Sequence, residues 1–308
     1  MQLLDHKHVS IVISTFNRKK ELTYTLLTLQ HVIDPKGIYV WDDSSTDGTF
    51  ESIASEFPEI NLFLNKSNNG YIFNRNKLMN SVETKYVISI DDDANFVNPE
   101  MLINALNFMN WQLECGVLAF RIYWGLTIPN NTNTNHELFR VSNYVGCGHL
   151  FRLEAWRNSV KSYPEWYKFY GEEDFASLKL FKDDWKIFYF PDVLIHHRVS
   201  IKNRQNNHAD KTIRTKLSLQ SSWSNYLIFY PNSRAWYKII YSIKEQLRLK
   251  FFKGDFNNIL PIIRALRELC KHKKYRKNLD LKLSKEELRD YLELPPAPIY
   301  WEPKSSSD

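Results

Sequence analysis

Cysteine is scarce in this chain: Cys115, Cys147 and Cys270 are the only three among 308 residues. They are scattered and odd in number, which argues against a disulfide framework and against the paired spacing of a structural zinc site. Buried or incidental thiols in a reducing cytoplasm are the expectation. Long apolar runs are missing too. No stretch approaches the ~20 uninterrupted apolar residues that span a bilayer. Met1-Gln2-Leu3-Leu4-Asp5-His6-Lys7-His8 has no apolar core behind a basic flank, so no secretory signal is expected. What is present is ordinary for a folded protein, with 43% hydrophobic and 25% charged residues, which excludes wholesale disorder. The length suffices for one large domain or for a domain with an appendage.

Positive charge is concentrated in one place. Residues 234–277 hold 13 Lys and Arg against 3 Asp and Glu, a surplus of 10, so the rest of the chain carries −4 against the overall +6. A partner for the basic character is to be sought in that C-terminal segment.

The first two hundred residues alternate between strand and helix patterns. Val9–Ile13 is a short β-branched run that hands over through Ser14-Thr15-Phe16-Asn17-Arg18 to Leu22, Leu26, Leu29 and Ile33 at helical spacing, with Pro35-Lys36-Gly37 as the stop. Ile38–Trp41 is a second strand and runs into Asp42-Asp43-Ser44-Ser45-Thr46-Asp47-Gly48-Thr49. A helix over 49–57, a strand over Ile60–Leu64 and a helix from Ile72 to Ser81 follow. Tyr86-Val87-Ile88-Ser89-Ile90 then ends in Asp91-Asp92-Asp93. This alternation predicts βαβ crossovers and a mostly parallel sheet. Buried strands of that kind deliver their ends to one edge, where open α/β sheets keep ligand sites. Three adjacent carboxylates repel one another and favour a counter-cation, with Mg²⁺ or Mn²⁺ as the natural candidates. A solvated acidic turn or helix cap would use the same residues. For Asp43, an Asx-turn competes with recognition of a base N–H or a ribose hydroxyl.

Taken together, Ser10 to Arg18, Trp41 to Thr49, Asn74-Arg75-Asn76 and Asp91-Asp92-Asp93 occur in the order and spacing of glycosyltransferase family 2, the inverting GT-A enzymes, and the chain resembles that family over roughly residues 8–200. The resemblance implies an α/β, Rossmann-like GT-A domain over 1–205. It implicates Ser14, Thr15, Asn17, Arg18, Asp43, Asn76, Asp91 and Asp92 in nucleotide binding. It assigns the metal to Asp93 and Asp91, with Asp93 the stronger ligand, and makes His196, in the run Pro191 to Arg198, a third ligand with His197 as the alternate register. Val145-Gly146-Cys147-Gly148-His149 looks like the family's glycine-rich strand, which places Gly146 and Gly148 near the acceptor. In Tyr170-Gly171-Glu172-Glu173-Asp174 the resemblance makes Asp174 the general base and lets Glu173 contact the acceptor. Carboxylates at a helix N-terminus are also ordinary capping chemistry.

Beyond about residue 200 the family pattern fades. Residues 206–308 read as a basic helical region. Trp236, Ile240, Ile243, Leu247 and Phe251 keep helical spacing, as do Ile259, Ile263, Leu266 and Cys270 after a break at Gly254 and Pro261. Such helices can lie on an anionic membrane surface or pack on the catalytic domain with a solvated basic face, and the sequence favours neither. Ser284-Lys285-Glu286-Glu287 predicts a capping box for a last helix, ended by Leu294-Pro295-Pro296, and the Ser-rich tail is expected to be disordered.

The expectation is therefore a cytoplasmic glycosyltransferase, either free or peripheral on the inner face of the plasma membrane. It would use Mn²⁺ or Mg²⁺ and a nucleotide-sugar donor, UDP- before dTDP- or GDP-, with a glycan or lipid-linked glycan acceptor in cell-surface polysaccharide synthesis. A sugar-nucleotide binder without transferase activity shares the motifs. A nucleotidyltransferase should show a glycine-rich basic loop where this chain has Ser-Thr-Phe-Asn-Arg. Nucleic-acid binding is not expected, because the basic residues are interleaved with regular apolar positions and the remainder is acidic.

Overall fold

The computed structural model describes residues 3–200, 208–251, 259–277 and 281–302. Strands β1 (Val9–Thr15), β2 (Ile38–Asp42), β3 (Asn61–Leu64) and β4 (Tyr86–Ile90) lie parallel in the order β3-β2-β1-β4. Helices α1 (Lys19–Leu29), α2 (Thr49–Glu56) and α3 (Tyr71–Ser81) connect them. The stripe on α1 behaves as its spacing predicts, with Leu22, Leu26 and Leu29 buried. Ile33 is buried just beyond the helix, and Pro35–Gly37 forms a single 3₁₀ turn.

After β4 the connections change. The chain continues through β5 (Ala94–Phe96), α4 (Leu102–Trp111), β6 (Cys115–Trp124), β7 (Phe139–Val141), β8 (Gly148–Arg152), α5 (Glu172–Lys182) and β9 (Lys186–His197). β8 inserts antiparallel between β4 and β6, β9 runs parallel to β6, and β5 and β7 both pair antiparallel with β9. The sheet is thus parallel through its first half and mixed in its second. β9 is interrupted: Phe120 faces Phe190 while Arg121 faces Leu194, so Pro191–Val193 form a bulge. Proline has no N–H for the ladder, which suits it to that break.

Apolar residues cover both faces. Ile11, Ile13, Leu22, Leu26, Ile88, Phe120 and Leu150 belong to one cluster. Val12, Val87, Ala119, Phe151 and Trp156 belong to the other, which also takes in Ile228, Phe229 and Tyr291. The C-terminal region, with α6 (His208–Phe229) and α9 (Lys285–Glu293), therefore shares a core with the sheet. The boundary expected after residue 205 lies outside the described residues, as do Gly254 and the Ser-rich tail. Pro261 sits in the first turn of α8 (Ile259–Lys271), where a missing N–H costs little, and does not break the helix. The capping box at Ser284 is present in full.

α7 (Asn232–Phe251) and α8 pack in an order the periodicity does not anticipate. Ile239, Ile262, Ala265 and Leu269 form a buried cluster with Leu219 and Trp223 of α6. Most of the stripes singled out from the sequence face the other way: Trp236, Ile240, Leu247, Ile259, Ile263 and Leu266 are exposed, while Ile243 packs against the buried cluster and the Phe251 side chain lies outside the described residues. Both helices are apolar on two faces.

Beyond α9 the chain returns as a strap across the sheet edge. Ser142 N–H donates to Pro295 C=O (2.8 Å), and Trp301 N–H donates to Ile122 C=O (2.5 Å). Ala297 N–H donates to Asn143 Oδ1 (2.9 Å). Arg121 stands over the Trp301 ring at 4.7 Å, and Trp124 stacks on Tyr300 at 5.6 Å.

Candidate active site

Parallel strands end at a common edge, and an antiparallel strand between them begins there. β1 delivers Thr15, β2 delivers Asp42 and Asp43, and β4 delivers Asp91–Asp93. β8 opens opposite Ile90 with Gly148, so Gly146 and Cys147 stand beside the acidic tip. β9 contributes His197 from its last position.

The three carboxylates are compensated by side chains of this chain. Arg18 Nε donates to Asp92 Oδ1 (2.8 Å) and its Nη2 to Asp93 Oδ2 (2.5 Å). Thr15 Oγ1 donates to Asp92 Oδ2 (2.9 Å). Arg75, 3% exposed, donates to Asp91 Oδ1 (2.9 Å) and to Gly146 C=O (2.7 Å), and lies 3.6 Å from Glu173. It joins the tip to the acids of α5. His197 Nε2 is 2.9 Å from Asp93 Oδ1 and 3.7 Å from Asp91 Oδ2. The three acids are held differently. Burial pushes Asp92 up to about 7 against the pull of Arg18. Burial also opposes the Asp93 charge, but the bond to His197 and the nearby Arg18 hold it below its ordinary value. Burial works against the His197 imidazolium as well, and the Asp93 bond overcomes it, lifting His197 to about 10.

Asp91, Cys147 and His197 each bring a ligand atom within 4.8 Å of the other two. A carboxylate and an imidazole at that spacing, with Asp93 alongside, fit a divalent cation.

Around this tip lie two adjoining cavities. The first, about 560 Å³, is lined by Ser14, Thr15, Arg18, Asp43, Asn74 and Asp91–Asp93 among others. Asp43 is buried and accepts from Asn65 Nδ2 (2.7 Å), Asn69 N–H (2.9 Å) and Gly70 N–H (2.7 Å). A carboxylate has about four lone-pair sites, so one remains for a ligand donor. The Asx-turn falls instead to Asp42, which accepts from Ser45 N–H (2.7 Å). The second cavity, about 610 Å³, is lined by Trp124, Asn143, Gly146, Cys147, Glu172, Glu173, Asp174 and, from the strap, Ala297 and Ile299. Tyr71, Asp91, Phe169 and His197 line both. All three acids lie in the first turn of α5. Burial raises each: Glu172 well up, Glu173 against the pull of Arg75, and Asp174 against a hydrogen bond from Asn143.

Four residues expected at the site sit elsewhere. His196 points its Nε2 to Gly125 C=O (2.9 Å) and its ring to Tyr123, while His197 faces the carboxylates. Alternation explains it, since His197 shares a face with Ile195, which packs over Gly148 toward the acidic edge. Asn76 is tied to Tyr163, donating to its C=O (2.9 Å) and accepting from its N–H (2.7 Å), and Asn74 lines the first cavity in its place, with Arg75 buried behind Asp91. Asn17, at φ 54°, stitches the first two loops together by accepting from Thr46 N–H (2.7 Å). Gly148 is a packing residue: a Cβ there would meet Ile195 Cγ1 at 2.7 Å. Gly146 does line the cleft, and a Cβ on it would collide with Glu173 Oε1.

The sequence reading assigned no role to Arg75, Asn143, Cys147 or the strap. Arg75 was available as the centre of the Asn74-Arg75-Asn76 motif, four residues after Tyr71, over whose ring it lies at 4.3 Å. Nothing local marks Asn143 or the strap.

An α/β sheet with acidic loops gathered at the ends of its parallel strands, and a second acidic pair across a shared cleft, defines the class of nucleotide-sugar-handling GT-A folds. The chain belongs to glycosyl transferase family 2, whose family model matches residues 10–166. Among solved structures it is similar to S. aureus TarS 1-349 in complex with UDP-GlcNAc, at 18% identity and a TM-score of 0.52 over 71% of this chain and 66% of that one. It is also similar to the mannosyltransferase PcManGT from Pyrobaculum calidifontis in complex with GDP-Man and Mn²⁺, at 15% identity and a TM-score of 0.55 over 92% and 78% of the two chains. GalNAc-T7 with UDP, GalNAc and Mn²⁺ matches at 14% identity and a TM-score of 0.58, over 74% and 49%. The chain spans 38% of the longer TarS structure. At these identities the likeness is one of fold. No curated protein matches the sequence significantly.

Proposed function

We propose that the protein is an inverting, cation-dependent glycosyltransferase that moves a sugar from a nucleotide diphosphate, a UDP-sugar before dTDP- or GDP-sugars, to a hydroxyl of a growing glycan. One observation supports this above the others: the Asp91–Asp93 tip and the Glu173/Asp174 pair open onto adjoining cavities with shared walls. In this reading the nucleotide lies in the first cavity, with Asp43 offering its remaining lone pair to a base N–H or ribose hydroxyl and Arg18 and Arg75 beside the diphosphate. Asp91, Asp93 and His197 would hold the cation, whose Lewis acidity offsets charge on the leaving diphosphate. The acceptor enters the second cavity. Asp174 takes the proton of its hydroxyl as that oxygen attacks the anomeric carbon, and a single displacement inverts the centre. Burial favours the protonated carboxyl, so it makes Asp174 a stronger base than an exposed aspartate. Glu173, facing Arg75, orients the acceptor.

A thermal-shift panel of UDP-, dTDP- and GDP-sugars with and without Mn²⁺ tests the reading. The matching donor should stabilise the protein only with Mn²⁺, by about 2.7 kcal/mol at a hundredfold excess over Kd. Failure of every nucleotide sugar to do so would overturn it.

The acceptor in this proposal is carried on a membrane lipid in cell-surface polysaccharide synthesis, with the enzyme at the cytoplasmic membrane face. Its support is the pair of outward apolar stripes on α7 and α8. Exposed Lys244, Arg248, Arg264 and Arg267 accompany them, and each well-placed cation adds about 1 kcal/mol at an anionic surface. Among the described residues no helix is long and apolar enough to cross a membrane. Co-sedimentation should be strong with anionic vesicles, weak with neutral ones, and reduced by Ile240→Glu with Ile263→Glu. Indifference of the intact protein to anionic vesicles would remove this part.

A further inference from the structure

The segment Gly146-Cys147-Gly148 is pressed between two walls. A Cβ at Gly146 would run into Glu173 Oε1 and come within 2.8 Å of Arg75 Nη1, and one at Gly148 would strike Ile195. Two glycines thus let the backbone pass between α5 and β9 with a single side chain, Cys147, in the gap. That side chain is 5% exposed and lines the second cavity. Its Sγ falls within 4.8 Å of ligand atoms of both Asp91 and His197. Among the described residues the other two cysteines have no such company: Cys115 is buried at the start of β6, bonded to Val117 C=O, and Cys270 is exposed on α8.

We propose that Cys147 is a further ligand to the proposed cation, adding a thiolate to the carboxylates of Asp91 and Asp93 and the imidazole of His197. The inference rests on the cation-dependent reading above and adds to it a sulfur that the acidic motif does not supply. The Cys147 thiol proton and the His197 imidazolium proton both leave to solvent as the metal binds, and the thiolate and the imidazole nitrogen each supply both electrons of their new bonds. Sulfur changes which ion the site prefers. Mg²⁺ seeks oxygen and near-octahedral geometry, whereas thiolate and imidazole favour Co²⁺ and Zn²⁺, with Mn²⁺ in between. The site therefore discriminates against Mg²⁺ more strongly than carboxylates alone would, and is open to capture by Zn²⁺.

The test uses Co²⁺ alone as the probe on the full chain freed of metal by chelation. The expected spectrum combines visible d–d bands with a near-ultraviolet thiolate-to-cobalt charge-transfer band. Cys147→Ser should lose the charge-transfer band, keep d–d absorption, and bind Zn²⁺ at least about tenfold more weakly with little change for Mg²⁺. Cys115→Ser and Cys270→Ser should keep the band. Where Cys147→Ser proves unstable, alkylation of the native protein with and without Co²⁺ replaces it, with protection of Cys147 by the metal as the expected result. Cobalt bound without the charge-transfer band, a band that survives Cys147→Ser, or unprotected Cys147 would overturn the proposal and leave the transferase reading intact. That reading fails separately, if no nucleotide sugar binds in a cation-dependent way.

Discussion

The cavity proposed for the nucleotide draws twelve of its fifteen lining residues from the first 93 positions, whereas the cavity beside it takes only Tyr71 and Asp91 from there and reaches to Ile299 for the rest. The two are also fastened differently. On the proposed donor side Asp43 is held from neighbouring loops, by Asn65, Asn69 and Gly70. On the acceptor side, one strap 150 residues downstream supplies part of the wall and bonds Asn143, whose side chain also holds Asp174. Local loops at parallel strand ends make a pocket for what a family shares. A wall assembled from distant pieces can differ between relatives without disturbing that pocket.

Mutations that strike one side should leave the other untouched. The largest effect is expected of Asp174→Asn, which should cut transfer by a factor of order 10² or more while donor thermal shifts stay near wild type; turnover at the native rate would end its candidacy as base. Asp93→Ala should do the reverse. Nucleotide-sugar affinity in Mn²⁺, read by calorimetry, should fall at least about tenfold, or ~1.4 kcal/mol, and unchanged affinity would take Asp93 out of the cation site. Smaller still, Tyr300→Ala removes a ring stacked on Trp124. With an aromatic pair worth about 0.5–1.5 kcal/mol, the acceptor KM should rise roughly two- to tenfold with donor Kd constant; a change in donor Kd instead would dissolve the distinction between the sides. The subtlest is Asn143→Ala. Its hydrogen bond favours the charged Asp174 carboxylate, so its loss should raise a pKa already lifted by burial. The acid limb of the rate profile should then move to higher pH, and an unmoved limb would mean that another group is the base.

The same division explains what the sequence disclosed. β1 to β4 could be placed because each is a β-branched run between turn residues, and the acidic loops because they are contiguous in the chain. β5 and β7, three residues each, are too short for any pattern. The choice between His196 and His197 turns on a bulge at Pro191–Val193 that resets alternation, and the placing of Asn76 against Tyr163 turns on how α3 docks. For α7 and α8 the periodicity found a real apolar stripe, but the core took the other face, the one that carries Ile239, Ile262, Ala265 and Leu269.

Arg18 and Arg75 already occupy the carboxylates to which the proposed reaction assigns a cation. In the proposed reaction a diphosphate in the cleft would give those guanidiniums a better-charged companion, and a turn of either toward it would release Asp91 or Asp93. Nucleotide and ion should therefore recruit one another: saturating either one tightens the grip on the other by an equal factor, so that the enzyme commits to both together.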